Sequence, residues 1–156
     1  MALTFFSAWL ATMLYVAAEA LWLLRADRQA RVWWSVGCAC LLTHAASAFH
    51  YVHHWSHREA YIATARQTAD FFPVSFGGGI YLNYVFTLLW VADAVWWWRG
   101  LLRYRTRPSW ITGSIHGFLA FLFFNATVVF GQGWIPWAGV AATLLLLAIL
   151  IRIRWH

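Results

Sequence analysis

Five apolar runs dominate the chain, each close to the roughly 20 residues that a helix needs to cross a bilayer core. They cover about residues 2–24, 32–55, 80–98, 111–130 and 134–151. In hydrocarbon a backbone can satisfy its N–H and C=O groups only within helices or a closed barrel. Runs of this length exceed barrel strands and match helices. The pattern therefore predicts an all-α membrane protein of five transmembrane helices, folded as a single transmembrane domain over 1–156. Composition agrees. Only 10% of the residues are charged and 63% are hydrophobic, whereas a soluble domain carries roughly 25% charged residues. Thirteen tryptophans sit mainly near the ends of the runs, where an amphipathic ring suits the headgroup layer.

Arginine placement sets the expected orientation. The chain has no lysine, so its eleven basic residues are all arginine. Arg25, Arg28 and Arg31 lie between runs one and two. Arg99, Arg103, Arg105 and Arg107 lie between runs three and four, and Arg152 and Arg154 end the chain. With five spans all three groups fall on one side, and only Arg58 and Arg66 fall on the other. Positive-inside bias then puts the N-terminus outside and the C-terminus in the cytoplasm. A bacterial inner membrane is the expected location, with the lipid bilayer as first partner. The net charge of +6 does not point to nucleic acid, because the arginines are spread between apolar runs rather than along one stripe. No cleavable signal pattern precedes the first run. Cys38 and Cys40 fall inside a span on different helix faces, as packing residues rather than a disulfide framework.

The one sizeable loop lies on the expected outer side. Ser56-His57-Arg58-Glu59 is a capping-box pattern, and Ile62, Ala65, Ala69 and Phe72 recur at helical spacing. A short interfacial helix over about 58–71 is predicted, ended by Pro73. Gly77, Gly78 and Gly79 then lead flexibly into run three.

Four of the seven histidines fall in eight residues at the outer end of run two: His50, His53, His54 and His57. Continued as a helix, run two places Thr43, Ser47, His50, His54 and His57 on one polar stripe. Such a stripe turns away from lipid. Three readings follow. The imidazoles hydrogen-bond water, headgroups and neighbouring helices. Alternatively, His50, His53, His54 and His57 hold a transition metal (Cu, Zn or Fe), with His44, Asn83, Glu59 and Asp70 as supporting or completing groups. As a third reading, they relay protons.

The local pattern His50-Tyr51-Val52-His53-His54 is HxxHH. It resembles one histidine box of the membrane desaturases and hydroxylases, which hold two irons. The likeness covers five residues, and that family uses several boxes where this chain has one. Its di-iron chemistry is therefore not carried over. A haem held by two histidines fits poorly, since His44 and His116 differ in depth by about 10 Å at 1.5 Å per residue. A single-ligand haem or chlorophyll stays open.

Three further ionisable groups lie inside the spans. Glu19, Asp93 and His116 sit at a similar depth near the arginine-rich side, on three different runs. Intramembrane ionisable groups are functional candidates by default. Together they form a possible proton or quinone site; the competing reading pairs the acids with snorkelling Arg25, Arg28 or Arg99. Three functions are thus expected in order. The first is a redox-linked metal or cofactor protein, with the site at the outer end of run two, in electron transfer. The second is a small accessory subunit of a larger membrane complex. The third is a proton-coupled carrier, which five spans without an evident repeat would support only in a homo-oligomer or with other membrane subunits.

Overall fold

The computed structural model describes residues 2–155. Met1 and His156 lie outside the described residues, as does the side chain of Arg154. Seven α-helices follow in order: α1 (Ala2–Leu23), α2 (Asp27–Tyr51), α3 (His57–Phe71), α4 (Gly79–Trp98), α5 (Leu101–Arg105), α6 (Ser109–Phe124) and α7 (Ile135–Arg154). A π-helical turn, Asn125–Val129, prolongs α6. Five of these helices are long and apolar enough to cross a membrane: α1, α2, α4, α6 with its π turn, and α7. No strand occurs among the described residues. The chain is therefore a multi-pass, all-helical protein of the kind that lives in a bilayer.

Each connection has a local cause. Between α1 and α2 the chain turns in three residues. The Ala26 N–H reaches the Leu21 carbonyl (2.9 Å) and the Arg25 N–H reaches that of Trp22 (3.1 Å), which closes the helix in a Schellman arrangement. Arg25 takes the left-handed conformation this needs, φ 64°. Helix α3 begins where the capping pattern predicts: Ser56 Oγ accepts from the Glu59 N–H at 3.2 Å. Gly77 is required for packing rather than flexibility, because a Cβ there would run into the backbone and ring of Tyr61. At Gly100, φ 154°, the chain swings away from α4 and folds α5 back under the bundle.

Helix boundaries depart from the predicted runs at one important place. The second helix begins earlier than expected, at Asp27, and stops at Tyr51 instead of reaching residue 55. His54 and Trp55 both adopt left-handed backbone, φ 49° and 59°. The Trp55 N–H then bonds the Phe49 carbonyl at 2.8 Å. The polar stripe expected through His57 on one continuous helix is thus broken after His50. No glycine or proline marks the break.

The core lies between α1, α2, α4 and α6. Its largest members are aromatic: Tyr15, Trp34, Trp90, Trp97, Tyr104 and Phe123, with Leu119. Small residues let the helices approach them. A Cβ at Gly37 would lie 3.1 Å from the Trp90 ring, and Ala18 and Ala30 are fully buried. Close approach over small residues is how helices associate in lipid, where apolar burial provides no drive. Helix α7 shares little of this core. It leans on the π turn, where Gly139 leaves room for Thr127.

Side-chain contacts define two ends of the bundle. Arg105 bonds Asp27 and the Trp22 carbonyl, Arg31 lies over the Trp98 ring at 4.0 Å, and Trp98 donates to Ser35. These contacts gather the α1–α2 turn, the end of α4 and α5 into an arginine-rich end. At the other end His44 Nδ1 lies 2.8 Å from the Thr4 carbonyl. There His57 meets Tyr84 and Trp9 stacks on Trp134 at 4.8 Å.

Candidate functional site

Glu19, Asp93 and His116 come together at the arginine-rich end. Each lies one to two turns inside its helix, on α1, α4 and α6 respectively. His116 is the bridge. Its Nδ1 lies 2.7 Å from Glu19 Oε1. Its Nε2 lies 3.1 Å from both Tyr104 Oη and Arg107 Nη2. Tyr104 in turn donates to Asp93 Oδ2 at 2.8 Å. Arg107 pairs with Asp93 Oδ1 and donates through Nε to Thr112 Oγ1 at 2.9 Å. The Arg107 and Asp93 side chains are 1% and 0% exposed, so this ion pair is shut off from solvent and lipid alike.

The hydrogen-bond pattern dictates a tautomer. The Tyr104 hydroxyl proton is spent on Asp93, and Arg107 can only donate. Nε2 of His116 is therefore the acceptor for Arg107 Nη2, and the neutral ring carries its proton on Nδ1, directed at Glu19. Aromatic faces hold the ring: Trp22 stacks on it at 4.4 Å with planes 7° apart, and Trp34 flanks it at 5.4 Å. Burial, and then the Asp93 carboxylate, raise the Tyr104 phenol well above its ordinary value, so it remains a donor.

Reading by spans missed half of this cluster. Of the two acids inside the spans only Asp93 pairs with arginine, and not with Arg25, Arg28 or Arg99; Glu19 takes His116 instead. Asp93 takes Arg107, and Arg105 is spent on Asp27. Tyr104 and Arg107 fall in the stretch between runs three and four, which stands out in the sequence only by its positive charge, and Thr112 is a single hydroxyl at the start of run four. The signal was Gly100 followed eight residues later by Pro108: two breaks bracketing a segment too apolar, Leu101-Leu102-Arg103-Tyr104, to be a free loop.

The histidine-rich end is differently built. His57 lies between two tyrosines, with Nδ1 2.9 Å from Tyr84 Oη and Nε2 3.3 Å from Tyr81 Oη. Trp55 Nε1 donates to His50 Nδ1 at 3.3 Å. His53 is half-buried edge-on to Phe49, and burial lowers its pKa below the ordinary 6.5. His50, His54, Glu59, Asp70 and Asn83 are exposed. His44 ties α2 to α1 through the Thr4 carbonyl. Among the described residues no three His, Cys, Asp or Glu side chains are grouped so as to hold a metal. The donors expected for Cu, Zn or Fe therefore do not converge as a ligand set: the helix that would have aligned them ends at Tyr51, and His57 has both ring nitrogens on tyrosines.

No protein-family model, curated protein or solved structure matches this chain, so its site stands on geometry alone.

Proposed function

We propose that this is a proton-handling membrane protein and that the Glu19–His116 pair is its working centre. The observation that carries the reading is the bridging imidazole, held by a carboxylate on one nitrogen and by an arginine and a tyrosine on the other. Asp93 and Arg107 offset each other's charge and act as the fixed frame. Glu19 and neutral His116 then leave one negative charge in a nearly dry site, and one proton neutralises it. That proton goes to Glu19, because His116 Nε2 already accepts from Arg107 Nη2. Histidine and carboxylate side chains are the usual members of intramembrane relays. In this reading the arginine-rich end faces the cytoplasm of a bacterial inner membrane, in accord with positive-inside bias. Transport across the bilayer would use a homo-oligomer or other membrane subunits, since five spans are few for an enclosed path.

Infrared difference spectroscopy on protein in lipid nanodiscs tests the reading. Acidification should produce a protonated-carboxyl band that is absent from Glu19→Gln and altered in His116→Gln. The variant Asp70→Asn, at an exposed position of α3, should retain it. A spectrum that Glu19→Gln leaves unchanged across the pH range would sink the proposal. Uptake of protons into proteoliposomes, followed with an internal pH dye, then tells a carrier from a local relay.

A further inference from the structure

Helix α4 carries a second feature on its outward face. Ala92, Val95, Trp96, Arg99 and Arg103 line an open groove of about 480 Å³. Ala92, Val95, Trp96 and Arg99 follow one side of α4 and its end at spacings i, i+3, i+4 and i+7, and Arg103 joins them from α5, beyond the break at Gly100. The floor is apolar along Ala92, Val95 and Trp96, and two guanidinium groups close it at the arginine-rich end. Among the described residues Arg99 and Arg103 are unpartnered, as are Arg25 and Arg28, whereas the other arginines around the groove are engaged. Arg105 has Asp27, Arg107 has Asp93, and Arg31 has the Trp98 face. Neither Arg99 nor Arg103 makes a side-chain hydrogen bond or ion pair among the described residues.

We propose that this groove binds an anionic phospholipid, with its phosphate between Arg99 and Arg103 and an acyl chain along Ala92, Val95 and Trp96. The match is one of shape and charge. An apolar strip of helix ends in a cationic clamp at the level where α4 leaves the apolar region. Guanidinium groups grip phosphate oxygens bidentately, and basic sites beside membrane helices select anionic headgroups. The groove also adjoins the buried cluster: Trp96 forms its floor, and Arg107 lies 5.6 Å from the Trp96 ring. The proposal is independent of proton handling and survives its failure.

The test is thermal unfolding of the full chain in mild detergent, with added dioleoyl phosphatidylglycerol, dioleoyl phosphatidylcholine, or inorganic phosphate. Phosphatidylglycerol should raise the Tm of the wild type more than phosphatidylcholine does, and phosphate alone should not. The Arg99→Gln/Arg103→Gln variant should lose this preference, its apparent affinity for phosphatidylglycerol falling about tenfold or more. Arg152→Gln, at another exposed arginine, should keep it. Val95→Trp fills the groove with both arginines in place and should also lose it, which covers the case of a double variant that does not fold. Equal shifts with the two lipids, an unchanged preference in both groove variants, or a full effect from phosphate alone would each overturn the proposal.

Discussion

The two ends of the bundle hold titratable groups in opposite ways. At the histidine-rich end the groups are dense in sequence, with four imidazoles in eight residues, yet they are mostly exposed and turn to separate aromatic partners. At the arginine-rich end they are scattered from residue 19 to residue 116, yet they form one buried network. Density along the chain measures local chemistry only. Convergence depends on depth, and depth is shared by residues far apart in sequence when helices run side by side.

The sharpest way to break this contrast is to remove one charge from the buried pair. Asp93→Ala leaves Arg107 buried without its counter-charge, which costs about 3–5 kcal/mol of stability. Unfolding in mixed micelles should show that loss. Replacing both residues with leucine should recover much of it, because the cost comes from the unpaired ion. A small effect of Asp93→Ala would mean that Arg107 reaches water and that this end is not the dry site described.

A double-mutant cycle sharpens the comparison further. Glu19→Gln and His116→Gln should couple by about 1–2 kcal/mol, as expected for neighbours in one buried network. The same cycle at the opposite end, His57→Ala with Tyr84→Phe, should give less than about 0.5 kcal/mol, as for an exposed side-chain hydrogen bond. Equal coupling at the two ends would erase the distinction.

How far this was readable beforehand differs by level. The five spans follow from run length, because a bilayer of fixed thickness demands it. The common level of Glu19, Asp93 and His116 follows from counting helix rise inward from each run's end. The frame around them does not follow. Tyr104 and Arg107 enter the site only because Gly100 folds α5 back, and no periodicity in a five-residue helix announces that. The histidine end misled for the converse reason. A helical wheel extends any run indefinitely, whereas α2 stops at Tyr51 through left-handed His54 and Trp55, residues that carry no turn signature. Asn83 illustrates the consequence: it has the depth to serve His50 and His54, but the residues that approach from α4 are Tyr81 and Tyr84, and they meet His57 instead.

Metal analysis tests the histidine end directly. Protein purified without a histidine tag should hold far less than one Cu, Zn or Fe per chain, and His50→Ala/His54→Ala should leave that figure unchanged. A stoichiometric metal lost in the double variant would show that these side chains regroup around an ion and would restore the ligand reading.

The smallest expected effect is a pH dependence at His53. Burial holds its pKa below the ordinary 6.5, with Glu59 pulling the other way and His54 adding to the depression. A depressed histidine binds its proton more readily in the unfolded chain. Its contribution to stability is therefore complete above about pH 6.5 and is lost as the pH falls through the folded value. Between pH 7.5 and 5.5 the wild type should lose slightly more Tm than His53→Gln. Glu59→Gln removes the opposing attraction, so its loss on acidification should be steeper than the wild type's. If Glu59→Gln flattens the profile instead, burial is not what governs His53. The histidine-rich end would then be held by its charges, as the arginine-rich end is.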